Sequence, residues 1–135
     1  MSYEYFLQAH IDQGSQEIST ERILSIFREY IVAGGDTYID LRFDERNSCT
    51  IYLDVSEPTV SGFMVSRPCG GKLGDCLYEV MQLGNFVFFE PEGKHMIAAR
   101  AFSATHLPED MVETLGEPVL GETRESFLAL YSNNR

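Results

Sequence analysis

Positive charge is what this chain has least of: 10 Lys and Arg stand against 21 Asp and Glu, a formal net charge of -11 over 135 residues. A field of that sign repels nucleic acid and anionic membranes and draws basic partners. Long apolar runs are missing too. Runs such as Phe86–Phe89 fall far short of the roughly 20 residues a membrane-spanning helix needs, so no membrane partner is expected. The opening residues Met-Ser-Tyr-Glu-Tyr-Phe hold neither a basic region nor an apolar signal core, which predicts no secretion. Cysteine is scarce and unpatterned. Cys49, Cys69 and Cys76 are an odd number at irregular spacings, which fits a reducing cytoplasm rather than a disulfide framework. Internal repeats, low-complexity tracts and Pro/Ser linkers are absent, so a single domain over residues 1–135 is expected.

Chemical motifs are equally sparse. Pro68-Cys69-Gly70-Gly71-Lys72-Leu73-Gly74 leads into a helical pattern and invites a phosphate-loop reading. That motif needs a hydroxyl after its lysine and a glycine five places before its second glycine; Leu73 and Ser66 stand there instead. No cofactor is therefore expected. Metal sites normally show closely spaced ligand pairs, whereas Cys69 and Cys76 are seven apart and His10, His95 and His106 are scattered, so no metal is expected either. Two groupings keep an enzyme reading open. Cys69 lies beside Arg67 and Lys72, cations that lower a thiol pKa. His106 lies three residues before Glu109, with Ser103 and Thr105 nearby, although Glu109 and Asp110 also suit a helix start after Pro108.

What is present is periodicity. Apolar residues make up 44 %, including nine Phe and seven Tyr, enough for a substantial core. Alternation over Tyr3–Ile11 predicts a strand with Tyr5, Leu7 and Ala9 on one side. Ser19 is placed to cap a helix over Thr20–Val32, with Ile18 and Ile23 as a hydrophobic staple and Gly34-Gly35 as its stop. Tyr38–Phe43 and Cys49–Val55 alternate around the polar turn Asp44-Glu45-Arg46-Asn47 and predict an antiparallel hairpin. Val60–Ser66 adds a strand with Phe63 and Val65 inward. Leu73, Cys76, Leu77, Val80 and Met81 form a helical stripe over 73–83. Asn85–Glu90 is apolar on both faces, predicting a central strand covered on both sides; Pro91–Lys94 then turns the chain into a strand over His95–Phe102. Helices are predicted near Pro108–Leu115 and Thr123–Tyr131. The sum is an α+β domain: a mostly antiparallel sheet of about five or six strands packed with two to four helices.

The acid is unevenly spread. Residues 106–125 hold Glu109, Asp110, Glu113, Glu117, Glu122 and Glu125 against Arg124 alone. A second group, Asp36, Asp40, Asp44, Asp54 and Glu57, lies on or beside the outward side of the hairpin, interleaved with Tyr38 and Tyr52. Aromatic anchors among carboxylates suit contact with a basic protein, the rings giving desolvated area and the charges steering and register. A solvated surface that serves solubility is the alternative. The candidate partner-binding residues are Asp40, Tyr52, Asp54, Glu109, Asp110 and Glu113.

The segments Ser66-Arg67-Pro68-Cys69-Gly70, Leu83-Gly84-Asn85-Phe86-Val87-Phe88-Phe89, His106-Leu107-Pro108-Glu109-Asp110-Met111 and Leu115-Gly116-Glu117-Pro118-Val119 resemble small bacterial proteins of the immunity type. Such proteins are paired with polymorphic or contact-dependent growth-inhibition toxins. The resemblance is one of type across much of the chain and carries over no individual functional residue. It implies a cytoplasmic, non-catalytic protein that binds and neutralises a cognate basic toxin domain such as a nuclease, without touching nucleic acid itself. A small adaptor with another partner, or a small enzyme using His106 with Glu109 or Cys69, are the competing readings.

Overall fold

Ser19 does what its position predicts. Its Oγ accepts a hydrogen bond from the Arg22 N–H at 3.3 Å, satisfying one of the orphan donors of a helix's first turn. The computed structural model describes residues 4–90 and 95–133. In chain order its strands are β1 (Glu4–Ile11), β2 (Gly14–Ser15), β3 (Ile18–Ser19), β4 (Ile31–Gly34), β5 (Tyr38–Asp44), β6 (Asn47–Tyr52), β7 (Thr59–Val60), β8 (Gly62–Ser66), β9 (Phe86–Phe89), β10 (Ile97–Ala98) and β11 (Val119–Leu120). The helices are α1 (Thr20–Phe27), α2 (Leu73–Met81), α3 (Ala101–Ala104), α4 (Glu109–Leu115) and α5 (Arg124–Asn133), with a 3-10 turn at Arg28–Tyr30.

Nine strands form one sheet in the order β11-β10-β9-β1-β8-β6-β5-β4, with β2 folded back on β1. All its pairings are antiparallel except β10 with β11. A separate ribbon joins β3 to β7. The alternation of β1 sends Tyr5, Leu7 and Ala9 into the main core. There they meet Ile23 and Phe27 of α1, Leu77 and Val80 of α2, and Phe127 of α5. Edge-on rings knit this layer: Tyr5 and Phe88 lie 4.9 Å apart, and Phe88 and Tyr131 5.3 Å, geometries that suit the quadrupoles of aromatic rings. α2 and α5 approach closely at Gly74, where a Cβ would stand 2.9 Å from Leu128 Cδ2.

Among the described residues, the second face of the sheet is covered only at one end. There Val87 and Ala98 pack with Met96 and Leu107 beneath Met111, Val112 and Leu115 of α4. So β9 is buried on both sides, as its unbroken Phe-Val-Phe-Phe run predicts.

Several expectations need correction. The α+β class and the mostly antiparallel sheet hold, but among the described residues the sheet has nine strands and there are five helices. Of the added strands in that sheet, β2 and β11 have two residues each, too short for any period to register, and β4 has four. The helix expected over Thr20–Val32 stops at Phe27. The β-branched pair Ile31 and Val32 instead enters β4, which pairs with β5 through a turn in which the Gly35 N–H donates to the Tyr38 carbonyl at 3.0 Å. The strand expected over His95–Phe102 shrinks to Ile97–Ala98, because the chain turns at Ala101 into α3. β6 ends at Tyr52, although the Leu53 N–H still bonds to the Thr37 carbonyl and keeps Leu53 facing inward. Tyr3 and the turn at Pro91–Lys94 lie outside the described residues.

The two kinds of stabilisation should separate in chemical denaturation. Phe127→Ala, which empties a fully buried site between α5 and the sheet, is expected to cost about 3–5 kcal/mol. Ser19→Ala, which removes one cap, should cost about 1 kcal/mol.

Candidate functional site: the uncovered sheet face

Four strands, β1, β8, β6 and β5, carry a face that no helix covers among the described residues. The pairing register sets its side chains in rows. Phe89 pairs with Phe6, Phe6 with Met64, Met64 with Tyr52, and Tyr52 with Tyr38, so five apolar or aromatic side chains from five strands stand in one line. Phe6 and Phe89 stack at 5.4 Å, which half-buries both; Tyr52 is 45 % exposed. One row away, Glu4 pairs with Ser66, Ser66 with Thr50, and Thr50 with Asp40. On the opposite flank lie Gln8 and Asp54. An antiparallel sheet with one wet face normally turns polar residues to the water. Here a polar face is cut by an apolar line.

The candidate contact residues fall into two groups on this side. Asp40 is half-buried in β5, and its Oδ1 accepts from Thr50 Oγ1 at 2.7 Å across the strand pair. Tyr52 points outward from β6. Asp54 is exposed beyond it, accepts from Ser56 Oγ at 2.8 Å, and shares a surface depression with Glu17 and Glu57. Glu109, Asp110 and Glu113 are exposed on α4, whose apolar side rests on β9 and β10. The structure therefore brings both groups to one side of the sheet but not together. Four strand spacings of about 4.8 Å, roughly 19 Å in all, separate β9 from β5.

The ion-paired arginines lie elsewhere. Arg28 pairs with Glu21 on α1, and Arg124 of α5 meets Asp75 at 3.0 Å and Glu79 at 4.0 Å on α2. Those pairs lie on the side that carries α1, α2 and α5. Among the described residues, none of the six candidates makes an ion pair, so the carboxylates beside the uncovered face keep their full field. Arg42 and Arg67 line one corner near Asp40 and mark where the acidic patch ends.

The residues behind the enzyme reading sit in structural roles. His106 Nδ1 accepts from the Asp12 N–H at 3.0 Å, which puts the neutral ring's proton on Nε2, itself buried. The His106 carbonyl also takes the Gln13 N–H, so this residue clamps the β1–β2 turn, where Asp12 and Gln13 both adopt positive φ. Its ring packs edge-on against Phe102 at 4.5 Å. Cys69 is not activated by Arg67 and Lys72, and the plain loop cysteine, the alternative to a reactive thiol, fits it better. Burial pushes its pKa up, an effect that a hydrogen bond from Cys49 only partly offsets. Cys49 and Cys76 are buried as small hydrophobes, and burial raises the Cys76 thiol to about 12. The Pro68–Lys72 loop is tied down by the Gly70 N–H donating to Asn47 Oδ1 at 2.9 Å, beside the hairpin turn. No cluster of metal-ligating side chains occurs among the described residues.

Sequence reasoning missed Phe6, Met64 and Phe89. The signal was available: each is a large apolar residue at the outward position of a clearly alternating or doubly buried strand. No family model, curated protein or solved structure matches the chain.

Two measurements check these assignments. At mildly alkaline pH the folded protein's thiols should alkylate at least about tenfold more slowly than those of the denatured chain, because the thiolate is the reacting form. His10, buried on β1, has its pKa lowered from 6.5 by desolvation, a shift the Gly14 backbone partly offsets. Below that value the unfolded chain binds a proton that the folded chain resists, so stability falls as pH drops through it. Urea midpoints should therefore decrease between about pH 7.5 and pH 5, and His10→Gln should flatten that trend.

Proposed function

We propose that this chain acts by binding a basic protein, and that it serves as an immunity protein neutralising a cognate toxin such as a nuclease. The observation that carries the reading is the partition of charge. Glu21, Asp75 and Glu79 on the side of α1, α2 and α5 are paired with Arg28 and Arg124, whereas Asp54, Glu109, Asp110 and Glu113 stand exposed with no ion pair among the described residues, and Arg42 and Arg67 reach only the Asp40 corner of the uncovered face. Solubility alone needs net charge but no such sorting. A toxin that grips RNA or DNA carries Lys and Arg in its cleft, and carboxylates offered there compete with phosphates. Long-range attraction then speeds the encounter, and closer contacts fix the register.

The role of Tyr52 and Asp40 differs from that of α4. Asp40 is already held by Thr50, so it meets a partner's cation with little loss of side-chain entropy. The α4 carboxylates are exposed, and they act on approach. Glu109 and Glu113 lie one helical turn apart, a like-charge spacing that costs the free helix a few tenths of a kcal/mol and is relieved when a cation arrives.

The test begins by co-purifying the chain with the product of its neighbouring gene. Reversing Glu109, Asp110 and Glu113 to Lys should slow association about tenfold or more at low salt and less at high salt. Reversing Asp40 and Asp54 should act chiefly on dissociation. If cells expressing the toxin remain protected by both variants, the charge mechanism is wrong.

A further inference from the structure

We infer that the row Phe89–Phe6–Met64–Tyr52–Tyr38 is the desolvated centre of a docking surface for a basic protein whose contact side sets apolar residues among Lys and Arg. The inference rests on the reading above and adds where the partner sits and what holds it. Three observations lead to it.

The first is alignment. Each neighbour in the row is a direct cross-strand partner of the next, so the five side chains form a continuous ridge rather than scattered apolar residues. Isolated surface hydrophobes need no explanation, but a contiguous apolar strip framed by polar rows is the anatomy of an interface core with its rim. The second is the frame. Glu4 and Asp40 flank the row on one side and Asp54 on the other, while the acidic helix α4 stands at the Phe89 end, where its Met111, Val112 and Leu115 join the same cluster as Phe89. The third is electrostatic need. Arg42 and Arg67 stand only at the Asp40 corner, and among the described residues Asp54, Glu109, Asp110 and Glu113 make no ion pair, so an occupant that covers the row toward Asp54 and α4 must supply the cations.

That chemistry selects the occupant. A second copy of this chain would bring its own charge of -11 against the first, and like charges across an interface are costly. Nucleic acid and anionic lipid bring phosphates to carboxylates. A basic protein surface with apolar teeth satisfies both the ridge and its rim. Its apolar groups would be anchored by aromatic rings, the side chains that most often dominate binding energy.

The experiment uses the full chain labelled with nitrogen-15, titrated at low salt with two probes. One is a helical peptide with a leucine face and a lysine face; the other is an oligolysine of equal charge. We expect the leucine–lysine peptide to bind about tenfold tighter, and to shift the amide resonances at Phe6, Met64 and Tyr52 as well as those of α4. Oligolysine should shift only α4 and the acidic loops. Met64→Gln and, separately, Tyr52→Ser should each erase much of the tenfold advantage while leaving oligolysine affinity unchanged and the spectrum dispersed as in a folded protein. Equal affinity for the two peptides, or shifts confined to α1 and α5, overturns the docking row and leaves the electrostatic reading standing. Failure of both peptides to bind overturns the two together.

Discussion

β1 is the strand on which the two halves of the sheet depend. It pairs with β8 on one side and β9 on the other, and every residue from Phe6 to Gln8 has a partner on both flanks. Its alternation then assigns the two faces. Tyr5, Leu7 and Ala9 commit one to the helices, and Phe6 with its neighbours is left on the other. A slip of one residue in either pairing would exchange the faces, burying Glu4 and Gln8 in the core and turning Tyr5 and Leu7 out to water. The core and the proposed docking surface are thus two consequences of one register.

The helices divide the work unequally. α1, α2 and α5 bury one face across most of the sheet, while α4 covers the other only over β9 and β10. This asymmetry gives the charge pattern its meaning. Where helices pack side by side, Arg124 can reach Asp75 and Glu79 across the seam between α5 and α2. Carboxylates beside the bare strands have no neighbouring helix to provide such a partner. Surface pairs of the first kind add little to stability. Their consequence is to hold Arg28 and Arg124 on the side away from the uncovered face.

The sequence was readable wherever an element was long enough to repeat. The stripe from Leu73 to Met81, the alternation from Tyr38 to Tyr52 and the doubly apolar run at Phe86–Phe89 all appear as expected, because burial selects side chains at a fixed spacing. Ile31 and Val32 were misread since they continue a helical stripe as well as they begin a strand, and only pairing with β5 decides between the two. Two-residue strands such as β10 and β11 have no period at all. For the candidate surface, outward Asp40 and Tyr52 were legible from alternation alone. Phe6, Met64 and Phe89 are each legible as outward apolar residues, but their alignment is not, because a row across strands is a property of register, which no local window contains. His106 and Cys69 show the converse: proximity in sequence to Glu109, or to Arg67 and Lys72, did not foretell the Asp12 clamp or the burial against Cys49.

The placement of β1 also bears on how the molecule is made. A ribosome delivers β1 before either of its partners: β8 begins 51 residues after β1 ends, and β9 begins 75 residues after it. Until then Tyr5 and Leu7 have no sheet to join, and the nascent chain must hold an adhesive strand in reserve. Contacts so distant along the polymer are slow to close and leave apolar segments open to strangers in the meantime. The acidity that repels like molecules is then useful before the fold exists, keeping unfinished copies apart on the same message.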